Sequence, residues 1–479
     1  MEVTNKIKES GGDIINKIKD NTKRAIISNI VNLATNLSDK NMIRIAYLAE
    51  KLTGSEKDKK TAEKLREMIK NKHPAMQVSK KINQMSINVK KKLINNFFVN
   101  ACIIRKDIQS RIKQKEGWRP PFLFVVDVTD RCNLYCEGCW AGTYAKEPDM
   151  SYELLNRILR EAKQLGIYFV TFTGGEPFIR KDILKIFEEH NDMFFQIYTN
   201  GTLITSKIAK KLAELGNVAL AISVEGFEKE TDARRGKGVH KKIMQAMDNL
   251  KKEGVLFGFS TMVTKNNSEL VSSEEFIDFY INKGCCFGWY FQYVPIGRNP
   301  NVNLMSTPKQ RNELRKRVLK IRKSKPIFIG DFWNDGPFIK GCIAGAREGA
   351  GYFHITNKGD VEPCVFAHFS VDNIKNKSLK QVMNSDFFKK IRKAQPYCEN
   401  KNLLSPCMII DHPQVLRNIC KECGAKETQH GGEALIKDKK IIKFLDDYSK
   451  TYKKIADPLW ETEYSGGATG PTSTNIQPV

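Results

Sequence analysis

Three cysteines in one short stretch carry the clearest chemistry of this 479-residue chain. Cys132, Cys136 and Cys139 stand in DRCNLYCEGCW with the spacing C-x3-C-x2-C. Thiolates are ligands both for zinc and for iron-sulfur clusters. A structural zinc site needs a fourth ligand, and no histidine occurs between Arg105 and Lys181. An iron-sulfur cubane with one open iron therefore fits this loop better than zinc.

A second group of cysteines is spread over the carboxy-terminal third. The chain carries charged residues near its amino terminus where a secretory signal would be apolar, so we expect a cytoplasmic protein. In a reducing compartment, clustered cysteines are more often metal ligands than disulfides. The group comprises Cys342, Cys364, Cys398, Cys407, Cys420 and Cys423.

The elements that must position these residues alternate between short β-branched or aromatic runs and helical patterns. This alternation predicts a parallel α/β sheet with right-handed crossovers, either doubly wound or a partial barrel, with its chemistry at the carboxyl ends of the strands. The cysteine loop follows the first predicted strand, and Gly174-Gly175-Glu176-Pro177 follows the second. The predicted strands are 123–129, 168–174, 195–200, 218–226, 257–263 and 286–294.

Together, C-x3-C-x2-C after one strand and GGEP after the next resemble the radical S-adenosylmethionine (SAM) superfamily. The resemblance implies a partial (β/α)6 TIM-like barrel in which Cys132, Cys136 and Cys139 hold a [4Fe-4S] cluster that binds SAM. Such enzymes cleave SAM reductively to a 5'-deoxyadenosyl radical, which abstracts hydrogen from the substrate. A low-potential electron donor of the flavodoxin or ferredoxin type is implied as a partner.

The same resemblance implies a set of SAM-binding residues. Glycine at 174 and 175 lets the backbone approach the cofactor, and Glu176 offers an acceptor for its ammonium group. Ser223-Val224-Glu225-Gly226 and Arg235 look like the family's S-x-D-G and D-x-x-R-G, although Glu225 replaces the usual Asp. By that match, Ser223 and Glu225 lie near the ribose or carboxylate of SAM, and Arg235 pairs with the carboxylate. The expected set is Trp140, Thr173, Gly174, Gly175, Glu176, Pro177, Asn200, Ser223, Glu225 and Arg235.

Residues 341–393 resemble the SPASM extension of radical SAM enzymes, with a Cys, a G-x4-C from Gly359 to Cys364, and an Asn-Ile before a helix. This resemblance implies one auxiliary [4Fe-4S] cluster held by Cys342, Cys364 and Cys407. Its fourth ligand is expected from Cys398, Cys420 or Cys423. A zinc knuckle formed by Cys420 and Cys423 with His412 or His430 stays open as an alternative.

The chain divides by composition into five parts. We expect a basic helical extension over 1–118, a radical SAM partial barrel over 119–325 and a loop-rich SPASM-like domain over 326–430. A carboxy-terminal helix over 431–464 and a disordered tail over 465–479 follow. No run of about 18 apolar residues occurs, which excludes a membrane-spanning helix.

The amino-terminal extension is the most basic part of the chain. Residues 1–118 contain 26 basic and 12 acidic residues, within a total net charge of +25. Such a stretch could dock on the main domain or lie on an anionic membrane at its inner face. Its apolar segment LINNFFVNACII is too short to span a bilayer but could dip into one or cover the active-site mouth.

Two substrate classes are compatible with these features. The basic extension favours an enzyme that modifies or couples membrane lipid chains, whose C-H bonds need a radical to react. SPASM enzymes commonly modify peptides, which is the alternative. A basic nucleic-acid-binding iron-sulfur or zinc protein is a third hypothesis, but no nucleic-acid-binding motif supports it.

Overall fold

The structure, a computed structural model, describes residues 38–52, 56–73, 78–142, 148–397 and 401–464, together with residues 26, 29, 30, 33 and 36. The tail 465–479, predicted to be disordered, lies outside the described residues. No helix within them is both long and apolar enough to cross a lipid bilayer.

A nine-stranded sheet forms the centre of the protein, and its last three strands in the chain are β7 Phe328–Asp331, β8 His354–Ile355 and β9 Val361–Glu362. With the strands numbered in chain order, the sheet order is β7-β6-β5-β4-β3-β2-β1-β8-β9. Neighbouring strands from β1 to β7 pair in parallel, as does β8 with β1, whereas β9 is antiparallel to β8. The sequential order and the open edges are those of a partial barrel, so the predicted fold class is confirmed. The six predicted strands are β1 Leu123–Thr129, β2 Phe169–Gly174, β3 Phe194–Thr199, β4 Val218–Ser223, β5 Phe257–Val263 and β6 Phe287–Gln292.

Helices connect the strands and cover the outer face of the sheet. Tyr152–Gln164 is typical, because Ser151 caps it by accepting a hydrogen bond from the Leu154 N-H, and Leu155, Ile158 and Leu159 are buried against the sheet. The connecting helices are Tyr152–Gln164, Ile183–Glu189, Ser206–Leu215, Glu228–Arg235, Val239–Glu253, Ser268–Val271, Glu274–Lys283 and Pro308–Ser324, with short 3-10 turns at Pro177–Ile179 and Val302–Leu304.

Three strands beyond residue 325 extend the sheet where sequence analysis predicts mainly loops. β7 covers Phe328–Asp331, and the hairpin of β8 (His354–Ile355) and β9 (Val361–Glu362) adds to the opposite edge, beside β1. These strands are too short for a periodic pattern to reveal them, although Asn357-Lys358-Gly359 is a turn signal. The auxiliary domain therefore shares the sheet of the barrel.

A buried histidine joins the hairpin to the barrel. His354 pairs with Val125 of β1 in register, and its Nε2 lies 3.1 Å from Asp127 Oδ1 while Nδ1 lies 2.6 Å from Glu362 Oε2. All three side chains are inaccessible to solvent. Burial alone would lower the pKa of His354, but the two carboxylates raise it to about 10. His354 is therefore an imidazolium at neutral pH.

The amino-terminal extension packs against the opposite end of the barrel from the expected active site. The Phe97 ring lies 5.3 Å from Phe169 and 5.6 Å from Phe194, which begin β2 and β3. Buried Asn96 donates to the carbonyls of Asn191 and Met193. The extension's described helices are Asp39–Leu52, Glu56–Lys70, Val78–Asn83, Ile87–Lys92, the π-helix Leu93–Ile104 and Arg105–Glu116.

The segment LINNFFVNACII therefore packs on the main domain, whereas most of residues 1–37 of the extension, for which the sequence also predicts docking, lie outside the described residues. The expectation that the segment covers the active-site mouth is wrong, because it contacts the amino ends of the strands. Leu93, Ile94, Val99 and Ala101 are buried in the protein, so its apolar residues are used in packing and only Phe98 is well exposed.

The carboxy-terminal part is held to the barrel by a second buried charge. Arg311 of the helix Pro308–Ser324 pairs with Asp411, with Nη1 2.5 Å from Oδ1, and its guanidinium stacks 3.8 Å from the Tyr452 ring. The predicted carboxy-terminal helix is divided into Ala434–Lys437 and Lys439–Glu463. The other elements are Gly336–Ile339, Leu379–Met383, Asp386–Ala394, Pro413–Cys423 and the two-stranded pair β10 Phe369–Ser370 and β11 Lys426–Glu427.

Replacing His354 with glutamine should destabilise the protein. The substitution leaves two buried carboxylates without their cation, which costs about 3–5 kcal/mol. Because the pKa of His354 is raised, its stabilisation is complete below its ordinary pKa and is lost as the pH rises towards about 10. Thermal unfolding should thus show a lower Tm for His354→Gln at pH 6, and a smaller difference near pH 10.

His240→Gln is the control, since His240 is only partly buried on the helix Val239–Glu253. A Tm difference at position 354 that is small at pH 6, or equal at both pH values, would contradict the role of the imidazolium.

Candidate active site

The loop after β1 brings the first three cysteines together at the carboxyl end of the sheet. Cys136 and Cys139 are buried, Cys132 is partly exposed, and none forms a disulfide. Arg298 holds the loop, because its guanidinium donates to the carbonyl of Cys136 at 2.9 Å and its backbone N-H to that of Cys139. The loop is thus fixed by the segment that follows β6.

The GGEP loop is bonded to the cysteine loop through its backbone. The Gly175 N-H donates to the Thr129 carbonyl and the Glu176 N-H to the Arg131 carbonyl, both at 2.8 Å. A Cβ on Gly175 would overlap the Arg131 carbonyl oxygen, and Gly174 has a φ of +119°. Glycine is therefore required at both positions for the two loops to approach this closely.

Glu176 is fully buried and joins the loops after β2 and β3. Its Oε1 accepts from the Thr199 hydroxyl at 2.8 Å and the Phe178 N-H at 3.1 Å, and its Oε2 accepts from the Asn200 N-H at 2.7 Å. Burial raises the pKa of Glu176 to about 6, although these donors act in the opposite direction. Oε2 has only one donor, so it retains a lone pair for a further donor such as an ammonium group.

Glu225 and Arg235 form a buried ion pair beside the cysteine loop. Arg235 Nη2 lies 2.6 Å from Glu225 Oε1, and Arg234 also donates to that oxygen. Arg235 Nη1 lies 4.0 Å from Cys136 Sγ. Burial alone would lower the pKa of Arg235, but Glu225 and the thiols of Cys136 and Cys139 raise it. A permanent positive charge therefore stands against the cysteine loop.

The second carboxylate oxygen of Glu225, Oε2, differs from Oε1 in its hydrogen bonding. Oε2 is buried and has no hydrogen-bond partner among the described residues. A buried carboxylate oxygen without a donor is costly, so this atom suits a hydroxyl group of a ligand such as ribose.

The other predicted SAM-binding residues lie around the same loops. Asn200 Nδ2 donates to Asn133 at 2.9 Å and lies 3.9 Å from Cys132 Sγ. Thr173 and Ser223 stand at the carboxyl ends of β2 and β4, and Pro177 begins the 3-10 turn. Trp140 stacks on the ring of His368. SAM contacts of these residues remain predictions.

The three thiols and their neighbours fit a [4Fe-4S] cluster. Hydrogen-bond donors on Asn200 and Arg235 lie within 4.0 Å of two of the sulfurs, and the Arg235 charge would balance an anionic cluster. Burial raises the pKa of the Cys132 thiol to about 11, so loading a cluster must release its proton.

The second cysteine group separates into two places. Cys342, Cys364 and Cys407 each accept a backbone N-H from the residue two positions later, at 3.4, 3.5 and 3.3 Å. Such N-H to sulfur bonds are what thiolates around an iron-sulfur cluster need. Buried Tyr397 lies among all three, since each of these thiols raises its pKa.

Cys398 lies outside the described residues but directly follows Tyr397. Cys420 and Cys423 stand apart on the helix Pro413–Cys423, where the thiol that acts on the pKa of Cys420 is Cys423 alone. His412 of the proposed zinc knuckle hydrogen-bonds the Ser405 carbonyl instead. The fourth ligand of the auxiliary cluster therefore stays a prediction among Cys398, Cys420 and Cys423.

An aromatic wall lies inside the barrel, and the sequence pattern does not predict it as a whole. The Phe291 ring stacks 4.6 Å from Phe332 and lies 5.6 Å from Tyr198 and 6.1 Å from Phe366. Trp140, next to Cys139, is 6.0 Å from Phe366. Tyr198, Phe291 and Phe332 are only partly buried, so they line accessible space at the carboxyl ends of β3, β6 and β7. Because side chains alternate between the two faces of a strand, the sequence of β6 could have indicated that Trp289 and Phe291 lie on the same face.

A buried polar network lies beside Trp140, and the sequence pattern does not predict it either. Glu362 lies 3.3 Å from His368 Nδ1, and His368 Nε2 contacts the Trp140 carbonyl at 3.1 Å. Together with Asp127 and His354, these residues connect the first cysteine loop to the auxiliary domain. Single polar residues in short strands form no repeating pattern, so this network cannot be predicted from the sequence.

Comparison with known proteins agrees with this geometry. Residues 126–277 match the radical SAM superfamily, and residues 342–424 match the SPASM iron-sulfur cluster-binding domain. AdoMet-dependent heme synthase of Methanosarcina barkeri is 24% identical over 66% of this chain and 94% of its own. Mycofactocin maturase MftC of Mycolicibacterium smegmatis is 28% identical over 59% of this chain and 75% of its own length. Streptococcus suis SuiB bound to S-adenosylmethionine has a similar fold, with a TM-score of 0.52 and 20% identity. The match covers 64% of this chain and 76% of SuiB.

Because the second cysteine group separates into two places, we expect substitutions at the two places to change the iron content differently. Cys342→Ala should lower the iron of anaerobically reconstituted protein by roughly four atoms per chain, because one [4Fe-4S] cluster is lost. The Cys420→Ala, Cys423→Ala double variant is the matched control and should retain the full iron content. Equal iron loss in both proteins would show that Cys420 or Cys423 is a ligand.

Glu176→Gln should weaken SAM binding. The amide keeps one acceptor oxygen, so its NH2 must face either the donors of Thr199 and Phe178 or the Asn200 N-H, which leaves at least one buried donor unsatisfied at a cost of about 1–3 kcal/mol. Equilibrium dialysis with reconstituted protein should give a SAM Kd about tenfold higher or more. Exposed Glu188→Gln is the control, and an unchanged Kd for Glu176→Gln would contradict the assignment.

Proposed function

We propose that this chain, a radical SAM enzyme with a carboxy-terminal SPASM domain, abstracts a hydrogen atom from an unactivated C-H bond in the hydrocarbon chain of a lipid. The radical SAM domain binds a [4Fe-4S] cluster and SAM, and the SPASM domain binds an auxiliary iron-sulfur cluster. Such enzymes also need an external reductant. The matches to these two families favour a radical SAM enzyme over the hypothesis of a basic nucleic-acid-binding iron-sulfur or zinc protein.

The residues around the first cysteine loop would hold the cofactors. Cys132, Cys136 and Cys139 would hold the cluster, which with SAM supplies the 5'-deoxyadenosyl radical. Glu176 fixes the loops after β2 and β3 and offers Oε2 to an ammonium group. Glu225 offers its free Oε2 to a ribose hydroxyl.

The aromatic wall of Tyr198, Phe291, Phe332 and Phe366 supports an apolar substrate. Tyr198, Phe291 and Phe332 stand at the carboxyl ends of β3, β6 and β7, the same end of the sheet at which the predicted SAM-binding residues stand. Aromatic side chains bind apolar surface and exclude water, which protects a reactive radical from side reactions. A hydrocarbon chain has no acidic C-H bond, so radical abstraction is the chemistry suited to it.

A peptide substrate is the second candidate. It is favoured by the similarity to mycofactocin maturase MftC, which is 28% identical over 75% of that protein's length. The same wall would then receive an apolar or aromatic side chain of the peptide.

One assay can separate these substrates. The reduced enzyme is incubated anaerobically with SAM and either a lipid extract or a peptide fraction, and 5'-deoxyadenosine is measured by mass spectrometry. A lipid-dependent increase supports the proposal. An increase with peptides alone would overturn it in favour of the second candidate.

Phe291→Ala should lower substrate-dependent 5'-deoxyadenosine formation by roughly tenfold, because the substrate loses the centre of the wall. Phe328→Ala is the matched control, since Phe328 is 36% exposed at the amino end of β7. The SAM Kd should not change in either variant. Equal rates for the two variants would contradict the role of the wall.

A contact between the basic extension and an anionic membrane surface remains part of the proposal, as does a cytoplasmic location. It rests on the 26 basic residues among residues 1–118. Binding to anionic liposomes should weaken when residues 1–115 are removed, and equal binding without them would contradict it.

A further inference from the structure

The inside of the barrel contains an apolar cluster that is separate from the core between the sheet and its outer helices. The Phe195 ring packs 5.0 Å from Phe187 of the outer helix Ile183–Glu189. Because side chains alternate along a strand, Phe194 and Tyr198 of the same strand therefore point into the barrel. The buried members that the barrel contributes to this interior cluster are Phe194, Ala219, Ala221, Leu256, Cys286 and Phe287.

The amino-terminal extension completes the interior cluster from below. Met85, Val89 and Leu93 are its other buried members, and Phe97 packs against it, with its ring 5.6 Å from Phe194. Ile94, the neighbour of Leu93, belongs instead to a cluster formed within the extension. We call Met85, Val89 and Leu93 the plug, because they close the amino end of the barrel interior.

Trp289 lies between the plug and the aromatic wall. Its ring is 6.0 Å from Phe287 of the interior cluster and 5.3 Å from Phe332 of the wall. The ring covers Gly330 of β7 so closely that a Cβ there would overlap it. Two strands away, Tyr198 packs against the interior cluster and also contacts the wall. Trp289 and Tyr198 therefore form the floor of the space that the wall lines.

The support of this floor comes from outside the catalytic domain. The plug precedes the match to the radical SAM superfamily, which begins at residue 126. Because protein interiors are close-packed, the side chains beneath a floor fix how deep an apolar group can enter above it. A hydrocarbon chain gains affinity with each methylene that it buries and gains none once its end meets the floor.

We propose that the plug sets the depth of the substrate pocket, because it holds Trp289 and Tyr198 as the floor on which the end of a hydrocarbon chain stops. Leu93 is a positioning residue, since it acts through these rings without touching the substrate. The proposal rests on the proposed function, in which a hydrocarbon chain enters along the aromatic wall.

The dependence of binding on chain length tests the depth of the pocket. Straight-chain fatty acids of increasing length are titrated into the reconstituted full-length enzyme with SAM, and the Kd is measured by calorimetry. In the wild-type protein, the Kd should fall about fourfold with each added carbon up to a limiting length. Leu93→Ala should lengthen that limit by about one or two carbons, because the floor relaxes into the vacated space.

Ile94→Ala is the matched control. Leu93 and Ile94 are 7% and 6% exposed, but Ile94 packs within the extension, so its loss should leave the limiting length unchanged. Leu93→Met nearly conserves the volume of the side chain and should also retain the wild-type limit. A limiting length that is equal in Leu93→Ala and the wild-type protein, or that shifts equally in Ile94→Ala, would overturn the proposal.

Hydrogen exchange gives a readout that needs no substrate. Amide exchange of residues 286–292 should be faster in Leu93→Ala than in Ile94→Ala, although both variants lower the Tm, because only Leu93 supports β6. Equal exchange in the two variants would overturn the proposal. A wild-type Kd that is independent of chain length would count against the lipid function instead, and hydrogen exchange would then decide alone whether the plug supports the floor.

Discussion

One buried imidazolium sets the position of both cysteine groups. His354 lies between Asp127, five residues before Cys132, and Glu362, two residues before Cys364. The two carboxylates belong to different parts of the chain, and the shared imidazolium offsets the cost of burying both of them. The register of β8 against β1 follows from the same contact. The barrel and the hairpin of β8 and β9 are therefore parts of one sheet, and the same buried imidazolium contacts a carboxylate of each.

A second buried ion pair connects the auxiliary cysteines to a helix of the barrel. Asp411 pairs with Arg311 of the barrel and also accepts the Cys407 N-H at 3.0 Å. The third auxiliary thiol is thus tied to a barrel helix and, through Tyr452, to the long carboxy-terminal helix. Buried ion pairs are weak sources of net stability, and their value here is the single geometry that they impose on the cysteine loops.

The sequence predicts the part of the fold that is periodic. The six strands from β1 to β6 and their helices are long enough to show alternation or helical spacing, and the cysteine and GGEP motifs lie at the strand ends where parallel sheets place chemistry. Partners distant in the chain are harder to predict. His354 meets Asp127 across 227 positions, and nothing local in FHIT indicates this contact. The four-residue β7 and the two-residue strands β8 and β9 are too short for periodicity to be informative.

The position of the extension has a geometric consequence for any enzyme acting at a membrane. It covers the amino ends of the strands, and strands of six or seven residues hold the two ends of the barrel about 20 Å apart. Attachment to a bilayer through the basic helices would point the opening of the barrel towards the aqueous phase. A lipid would then have to leave the bilayer and be handed to the enzyme, in the way that soluble carriers shield acyl chains from water.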